Sequence, residues 1–176
     1  MIQHGLVRDA TEEDLQEILD IYNACIGNGI ITADTVPVTV EERLPWFKAH
    51  QPESRPLWVL EADGEIAAWI SLSDFYGRPA YQPTAEVSIY VSEKWRGKGA
   101  GKYLLRKMLE ACPKLGVETL LGFIFSENKA SLKLFASFGF ETWGHLKEVA
   151  VLDGRMHDLM ITGKKNLKDF ERLKEL

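Results

Sequence analysis

Little in this chain points to a membrane, to nucleic acid or to thiol chemistry. Cysteine is scarce: only Cys25 and Cys112 occur in 176 residues. Each sits in an apolar helical pattern and reads as a buried thiol without a chemical role. No apolar run approaches the ~20 residues that a membrane span needs. The N-terminus has neither the basic region nor the apolar core of a signal peptide, so a cytoplasmic location is expected and no membrane partner. Positive charge is in deficit, 21 Lys and Arg against 26 Asp and Glu for a net charge of −5. That balance leaves no broad basic face for nucleic acid. Internal repeats, low-complexity tracts and linkers are all missing, and no metal is expected.

What is present is a core-forming composition, 45% hydrophobic and 27% charged, enough for one compact domain over residues 1–163. The lysine-rich stretch 164–176 reads as a charged tail, a loosely held helix. Along the chain the elements alternate in type. Leu6-Val7-Arg8 ends a short strand. Thr11 with Asp14 caps a helix whose apolar face is Leu15, Ile18, Leu19, Tyr22 and Ile26, broken at Asn28-Gly29. Thr39 and Glu42 form a capping box for a second helix, with Leu44 and Phe47 pointing inward. Strands over 57–61 and 66–72 join through Asp63-Gly64, a hairpin signal. Further on, 119–125 is an apolar strand and 130–138 a helix. Segments 140–148 and 156–161 close the chain as a hairpin turned at Asp153-Gly154. The expected class is α/β (α+β), one mixed and largely antiparallel sheet with a single parallel step.

That parallel step surrounds the most informative stretch, Arg96-Gly97-Lys98-Gly99-Ala100-Gly101. An alternating, β-branched strand, 84–91, precedes it. A helix carrying Leu104, Leu105, Met108 and Leu109 at helical spacing follows. Strand, glycine-rich turn, helix aims free backbone N–H groups and the positive end of a helix dipole at an anion. Arg96 and Lys98 add cationic side chains to the same turn. An ordinary glycine-rich connection is the competing reading. A P-loop is excluded, because no Ser or Thr follows Lys98. A dinucleotide fingerprint fails because Lys102 occupies its third glycine position.

Arg96, Gly99 and Gly101 fill the Arg/Gln-x-x-Gly-x-Gly/Ala signature of the GCN5-related N-acetyltransferases (GNAT), which the chain resembles. Residues 84–91, Ile21-Tyr22-Asn23, the turn 126–128, the segment 131–140 and Met156-His157-Asp158-Leu159 are similar to the phosphinothricin and methionine sulfoximine N-acetyltransferases, a subgroup of that superfamily. The resemblance runs from about residue 5 to residue 162. It implies a single twisted sheet flanked by helices and splayed where acetyl-CoA binds. It also implies an enzyme that transfers acetyl, in a ternary complex, to the α-amino group of a small amino acid or analogue.

The resemblance assigns roles residue by residue. Acetyl-CoA falls to Ile89, Tyr90 and Val91 on the splayed strand, to Arg96, Gly97, Lys98, Gly99, Ala100, Gly101 and Lys102 at the turn, and to Asn128. A backbone N–H near Val91 would polarise the thioester carbonyl. Asn128 also serves as a plain N-cap, and Lys133 is a further phosphate candidate. Glu86 matches the catalytic glutamate. The amine must be neutral to attack, so a base is required, and a carboxylate between Ala85 and Val87 is partly desolvated, which raises its pKa. The competing reading is a solvent-facing strand carboxylate. Val87 and Ser88 join Glu86 in lining the acceptor.

The acceptor loop is Asp74 to Tyr81, with Tyr76, Gly77 and Arg78 as substrate contacts and Arg78 offering a planar fork to a carboxylate. Phosphinothricin acetyltransferases carry arginines where this chain has Tyr76 and Gln82, which shifts weight toward methionine sulfoximine or methionine sulfone. Phe135 stands where many superfamily members have the tyrosine that protonates the departing thiolate; Tyr103, Tyr90 and Tyr81 are the substitutes at hand. His145 and His157 read as structural. Trp46, Trp95 and Trp143 read as core or as dimer surface, and the resemblance implies a homodimer. Two other classes stay open: a non-catalytic acyl-CoA sensor, and an acetyltransferase of protein N-termini or another amine.

Overall fold

A computed structural model describes residues 5–27, 30–165 and 167. Seven strands form one sheet in the order β1-β2-β3-β4-β5-β7-β6. They are β1 (Leu6–Asp9), β2 (Leu57–Ala62), β3 (Glu65–Asp74), β4 (Thr84–Val91), β5 (Thr119–Phe125), β6 (Glu141–Leu152) and β7 (Arg155–Lys164). Every neighbouring pair is antiparallel except β4 with β5, the parallel step expected from the strand–turn–helix pattern. The hairpins turn where the Asp-Gly pairs predict. Asp63 and Gly64 have φ of 53° and 78°, and Asp153 and Gly154 have 49° and 73°. Two successive positive φ values match the strand twist of a two-residue hairpin.

Helices α1 (Leu15–Asn23) and α2 (Val40–Ala49) cover one face of the sheet; α3 (Ala100–Ala111) and α4 (Lys129–Ser137) cover the other. On α3, Leu104, Leu105, Met108 and Leu109 are fully buried against Leu60, Ile70, Leu72 and Leu120. Each such side chain contributes about 1.5–3 kcal/mol by leaving water. On the opposite face Ile18 and Ile21 of α1 meet Val59, Ile66 and Trp69, with Trp46 and Phe47 of α2 packed at the margin. The Trp69 indole N–H donates to the Ile18 carbonyl at 3.1 Å, tying α1 to the sheet.

Some expectations shift in detail. Helix α1 ends at Asn23, ahead of Ile26, because Cys25 and Ile26 bond three residues back and tighten the chain into a turn. The expected break at Asn28-Gly29 lies outside the described residues. The Asn23 side chain instead reaches across to Val38, accepting from its N–H at 3.0 Å and donating to its carbonyl at 2.9 Å. The Thr39–Glu42 capping box is present. Of the two inward residues expected on α2, Phe47 packs against the core, whereas Leu44 does not join it. Leu167, beyond β7, is buried in the core; the rest of the tail from residue 168 lies outside the described residues. Cys25 and Cys112 are buried free thiols. No described helix is long and apolar enough to cross a membrane.

One contact generates a stability prediction. A Cβ at Gly122 on β5 would lie 2.5 Å from a ring carbon of Phe135 and 2.9 Å from the Thr162 hydroxyl. Phe135 is itself buried against Phe140, so the ring has little room to yield. Gly122→Ala is expected to cost about 1–3 kcal/mol, the range for overpacking a core. Denaturant unfolding measures it, and the penalty should shrink in a Phe135→Leu background.

Candidate active site

The sheet opens between β4 and β5. Their pairing runs only from Thr84–Thr119 to Glu86–Leu121. Beyond that rung β4 continues with β3 as far as Val91, while β5 follows β7 as far as Phe125. The β5-facing edge of Val87–Val91 therefore has no strand partner, and its backbone groups are available to a ligand. A small cavity of about 110 Å³ fills the gap, lined among others by Val87, Ser88, Ile89, Phe123 and Phe135.

At its outer end the gap opens into a cleft of about 480 Å³ over the start of α3. Gly97 and Gly99 have φ of 73° and 91°, a left-handed conformation that costs other residues dearly. Gly99 is the N-cap of α3 and supplies no side chain to it, so the first-turn N–H groups of Ala100, Gly101 and Lys102 face the cleft uncapped. A Cβ on Gly101 would lie 3.3 Å from Leu134 of α4, so glycine here permits close packing of the two helices. Of the cofactor residues read from the sequence, Ile89, Tyr90, Val91, Arg96, Gly97, Gly99, Ala100, Gly101, Lys102 and Asn128 all line this cleft. Lys98 turns aside and places its ammonium 5.0 Å from the Trp95 ring centre. Lys133 is exposed outside the walls. Asn128 caps α4 by accepting from the Ser131 N–H at 3.1 Å while lining the cleft, so its two roles coexist.

On the face covered by α1 and α2 the gap meets a third cavity, about 140 Å³, which shares Ser88 and Tyr90 with it. Its other walls are Leu19, Tyr22, Arg43, Trp46, Trp69, Ser71 and Ser73. Aromatic rings dominate. Tyr90 stacks on Trp69 at 4.6 Å, and Tyr22 meets the Tyr90 ring edge-on at 5.0 Å. Burial pushes the Tyr90 phenol well above the usual range and the Tyr22 phenol up to about 12, so both stay neutral hydroxyls.

Glu86 is not a wall of any of the three cavities but stands on β4 two residues from Ser88, which lines two of them. Strand alternation puts it on the same face as Ser88 and Tyr90, and the register puts it opposite Ser73. It is half-buried, and desolvation alone raises its pKa above the ordinary glutamate value of 4.5. Among the described residues no group donates a hydrogen bond to it.

The acceptor loop behaves differently. Tyr76, Gly77 and Arg78 are exposed and stand outside the walls of the three cavities. Tyr76 and Gly77 both take positive φ, 61° and 60°, making a sharp corner. Phe75 packs against Tyr81 and Phe123, which makes the loop an aromatic flap beside the Glu86 end of β4. Its ends are held by Arg55, a buried residue. The Arg55 guanidinium pairs with Asp74 at 2.6 Å and donates to the Gln82 carbonyl at 2.7 Å.

Several residues of this arrangement escape a sequence reading. Arg43, Trp46, Trp69 and Tyr22 come from three elements distant in sequence, and only the helix-over-sheet packing brings them together. Capping and helical spacing do identify α2, and a polar residue on its inner edge is the one signal that marks Arg43. Trp95 is core, Trp46 a pocket wall, and Trp143 is 43% exposed. His145 pairs with Asp158 and His157 with Glu127, both away from the three cavities. Among the described residues no cluster of three or more His, Cys, Asp or Glu is placed to hold a metal.

The comparisons agree with this geometry. The model of the acetyltransferase (GNAT) family matches residues 15–140. The chain is 52% identical to YwnH of Bacillus subtilis (strain 168), whose name assigns it provisionally to the phosphinothricin acetyltransferases, over 90% of this chain and 97% of that one. It is 35% identical to the L-methionine sulfoximine/L-methionine sulfone acetyltransferase of Pseudomonas paraeruginosa, over 87% and 90%. A GNAT superfamily phosphinothricin acetyltransferase from Sinorhizobium meliloti, solved in complex with acetyl-CoA, superposes with a TM-score of 0.87. It is 30% identical, and 94% of this chain and 89% of that chain are covered. An open sheet splayed beside a glycine-capped helix, matched along most of its length by these relatives, means that the chain is an acyltransferase and belongs to the GNAT acetyltransferase family, in the branch whose members are named for phosphinothricin and methionine sulfoximine.

Proposed function

We propose that the protein moves the acetyl group of acetyl-CoA, in a ternary complex, onto the α-amino group of a small amino acid or analogue of the methionine sulfoximine, methionine sulfone or phosphinothricin type. The observation that carries this is continuity. The glycine-capped cleft, the gap between β4 and β5 and the aromatic pocket share walls in series, and Ser88 and Tyr90 stand where donor and acceptor would meet.

The cleft fits acetyl-CoA, which supplies an activated acyl thioester. The uncapped N–H groups at the start of α3, with Arg96 and Lys102, suit its pyrophosphate. The unpaired edge of Val87–Val91 suits the amides of its pantetheine arm and offers an N–H to the thioester oxygen. Glu86, poorly solvated and with its pKa raised by burial, accepts the proton of the incoming ammonium, directly or through water. Arg78 on the aromatic flap remains the proposed contact for the acceptor carboxylate at the mouth. An acceptor pocket of about 140 Å³ accommodates a small side chain better than a peptide. A homodimer is part of the reading, supported by the exposed Leu146, Val149, Val151 and Met156 on the β6–β7 ribbon. Thiol release from acetyl-CoA, screened across amino acids and simple amines, tests the whole assignment.

Three predictions follow from Glu86 and Gly99. Glu86→Gln should lower turnover about 10²-fold or more at neutral pH, the usual contribution of a general base. Acetyl-CoA affinity should hold, and the deficit should narrow at high pH as free amine accumulates. The same variant has an opposite effect on stability. A carboxyl whose pKa is higher folded than unfolded favours the fold when protonated, and that contribution is lost as pH rises through the folded value. Glu86→Gln should therefore raise the thermal midpoint at pH 7, with the gain disappearing below the ordinary value of 4.5. Gly99→Val forces a β-branched residue into φ 91°. It should cost about 1–3 kcal/mol of stability and weaken acetyl-CoA binding by calorimetry, since the first turn of α3 would no longer present its N–H groups in register.

A further inference from the structure

The aromatic pocket contains one cationic side chain, Arg43, and its donors are only partly used. One guanidinium nitrogen, Nη2, donates to Asp34 Oδ2 at 2.5 Å. The Asp34 carboxylate also accepts from the Tyr22 hydroxyl, and the Thr32 hydroxyl lies 2.5 Å from that same Tyr22 oxygen. The guanidinium lies against the Tyr22 ring, 5.4 Å from its centre. Arg43 is thus fixed from two sides while Nε and Nη1 have no hydrogen-bond partner among the described residues. Its side chain is 29% exposed, and it is one of the walls of the pocket.

The open N–H groups of Nε and Nη1 lie on different edges of the guanidinium and can each donate to an oxygen of an oxyanion or sulfonyl-type group, and an aromatic surround strengthens such contacts by excluding water. We propose that Arg43 is a specificity-determining residue that holds oxygens of the acceptor, from its carboxylate or from a sulfonyl, sulfoximine or phosphinyl group on its side chain. The inference rests on the acetyl-acceptor reading of the pocket. It separates this protein from a general amine acetyltransferase: an acceptor without such oxygens leaves the Arg43 donors desolvated and unpaired, which costs binding. Asp34 positions the fork and offsets its charge, and through Thr32 and Tyr22 it ties the segment 30–39 to the pocket wall.

Calorimetry on the full chain with coenzyme A present tests this with four ligands. L-methionine sulfone carries both oxygen groups, L-methionine the carboxylate alone, 3-(methylsulfonyl)propylamine the sulfonyl alone, and n-butylamine neither. Arg43→Gln should weaken the oxygen-bearing ligands by about tenfold or more, the worth of a hydrogen bond to a charged group, and leave n-butylamine unchanged. A loss for both amino acids with the sulfonyl amine spared identifies the carboxylate as the held group; the reverse identifies the side-chain oxygens. Equal weakening of all four ligands, no change in any, or wild-type affinity no better for the sulfone than for n-butylamine overturns the inference. Should Arg43→Gln fail to fold, Arg43→Lys keeps the charge beside Asp34, loses the fork and should show the same selective loss at a near-wild-type thermal midpoint. Failure of the acetyl-transfer reading shows separately, as ligands that bind selectively yet release no thiol from acetyl-CoA.

Discussion

Strands β4 and β5 share a ladder only from Thr84–Thr119 to Glu86–Leu121, and the architecture of the site follows from where that ladder stops. An unpaired backbone edge inside a sheet is unfavourable unless water or a ligand satisfies it. Here the edge borders a gap, and the gap connects the two faces of the sheet. Had the pairing continued to Val91, the cleft over α3 and the pocket under α1 and α2 would be separated by a closed sheet. The last shared rung also belongs to Glu86, so the proposed base stands at the point where the strands part.

The two ends of this passage differ in their physics. Over α3 the binding surface is mostly main chain, set by left-handed glycines and an uncapped helix start, which suits an anion without demanding a particular side chain. Under α1 and α2 it is mostly side chain, with Tyr22, Trp46, Trp69 and Tyr90 forming walls around polar groups. A backbone site of the first kind is transferable among many acceptors. The second kind discriminates, because each buried polar group left unpaired by a wrong ligand costs more than a good contact gains.

The segment between α1 and α2 joins these ends. Asn23 anchors it through Val38, Thr32 and Asp34 bind Tyr22, and Ile31 reaches into both the gap and the outer cleft. On the far side of Glu86, Arg55 performs a similar task for the aromatic flap by holding Asp74 and Gln82. Neither anchor residue touches the cavities. Both act by limiting where a loop can go beside the cavities.

Much of this was legible from residue order because the signals are local. The Asp-Gly pairs at 63–64 and 153–154 demand positive φ, Thr39 and Glu42 cap a helix reciprocally, and Arg96 to Gly101 sit between a strand and a helix. Each rests on chemistry within a few residues, so the hairpins, the parallel step and the wall of the outer cleft could be read without coordinates. Only the tertiary structure decided the rest. It turned Lys98 onto Trp95 and left Arg78 at the surface. It stopped α1 at Asn23, inserted β7 between β5 and β6, and brought Arg43 and Trp46 over Ser71, Ser88 and Tyr90. Those outcomes depend on which faces of distant elements pack together, and side-chain burial across a sheet has no signature within any single window of the chain.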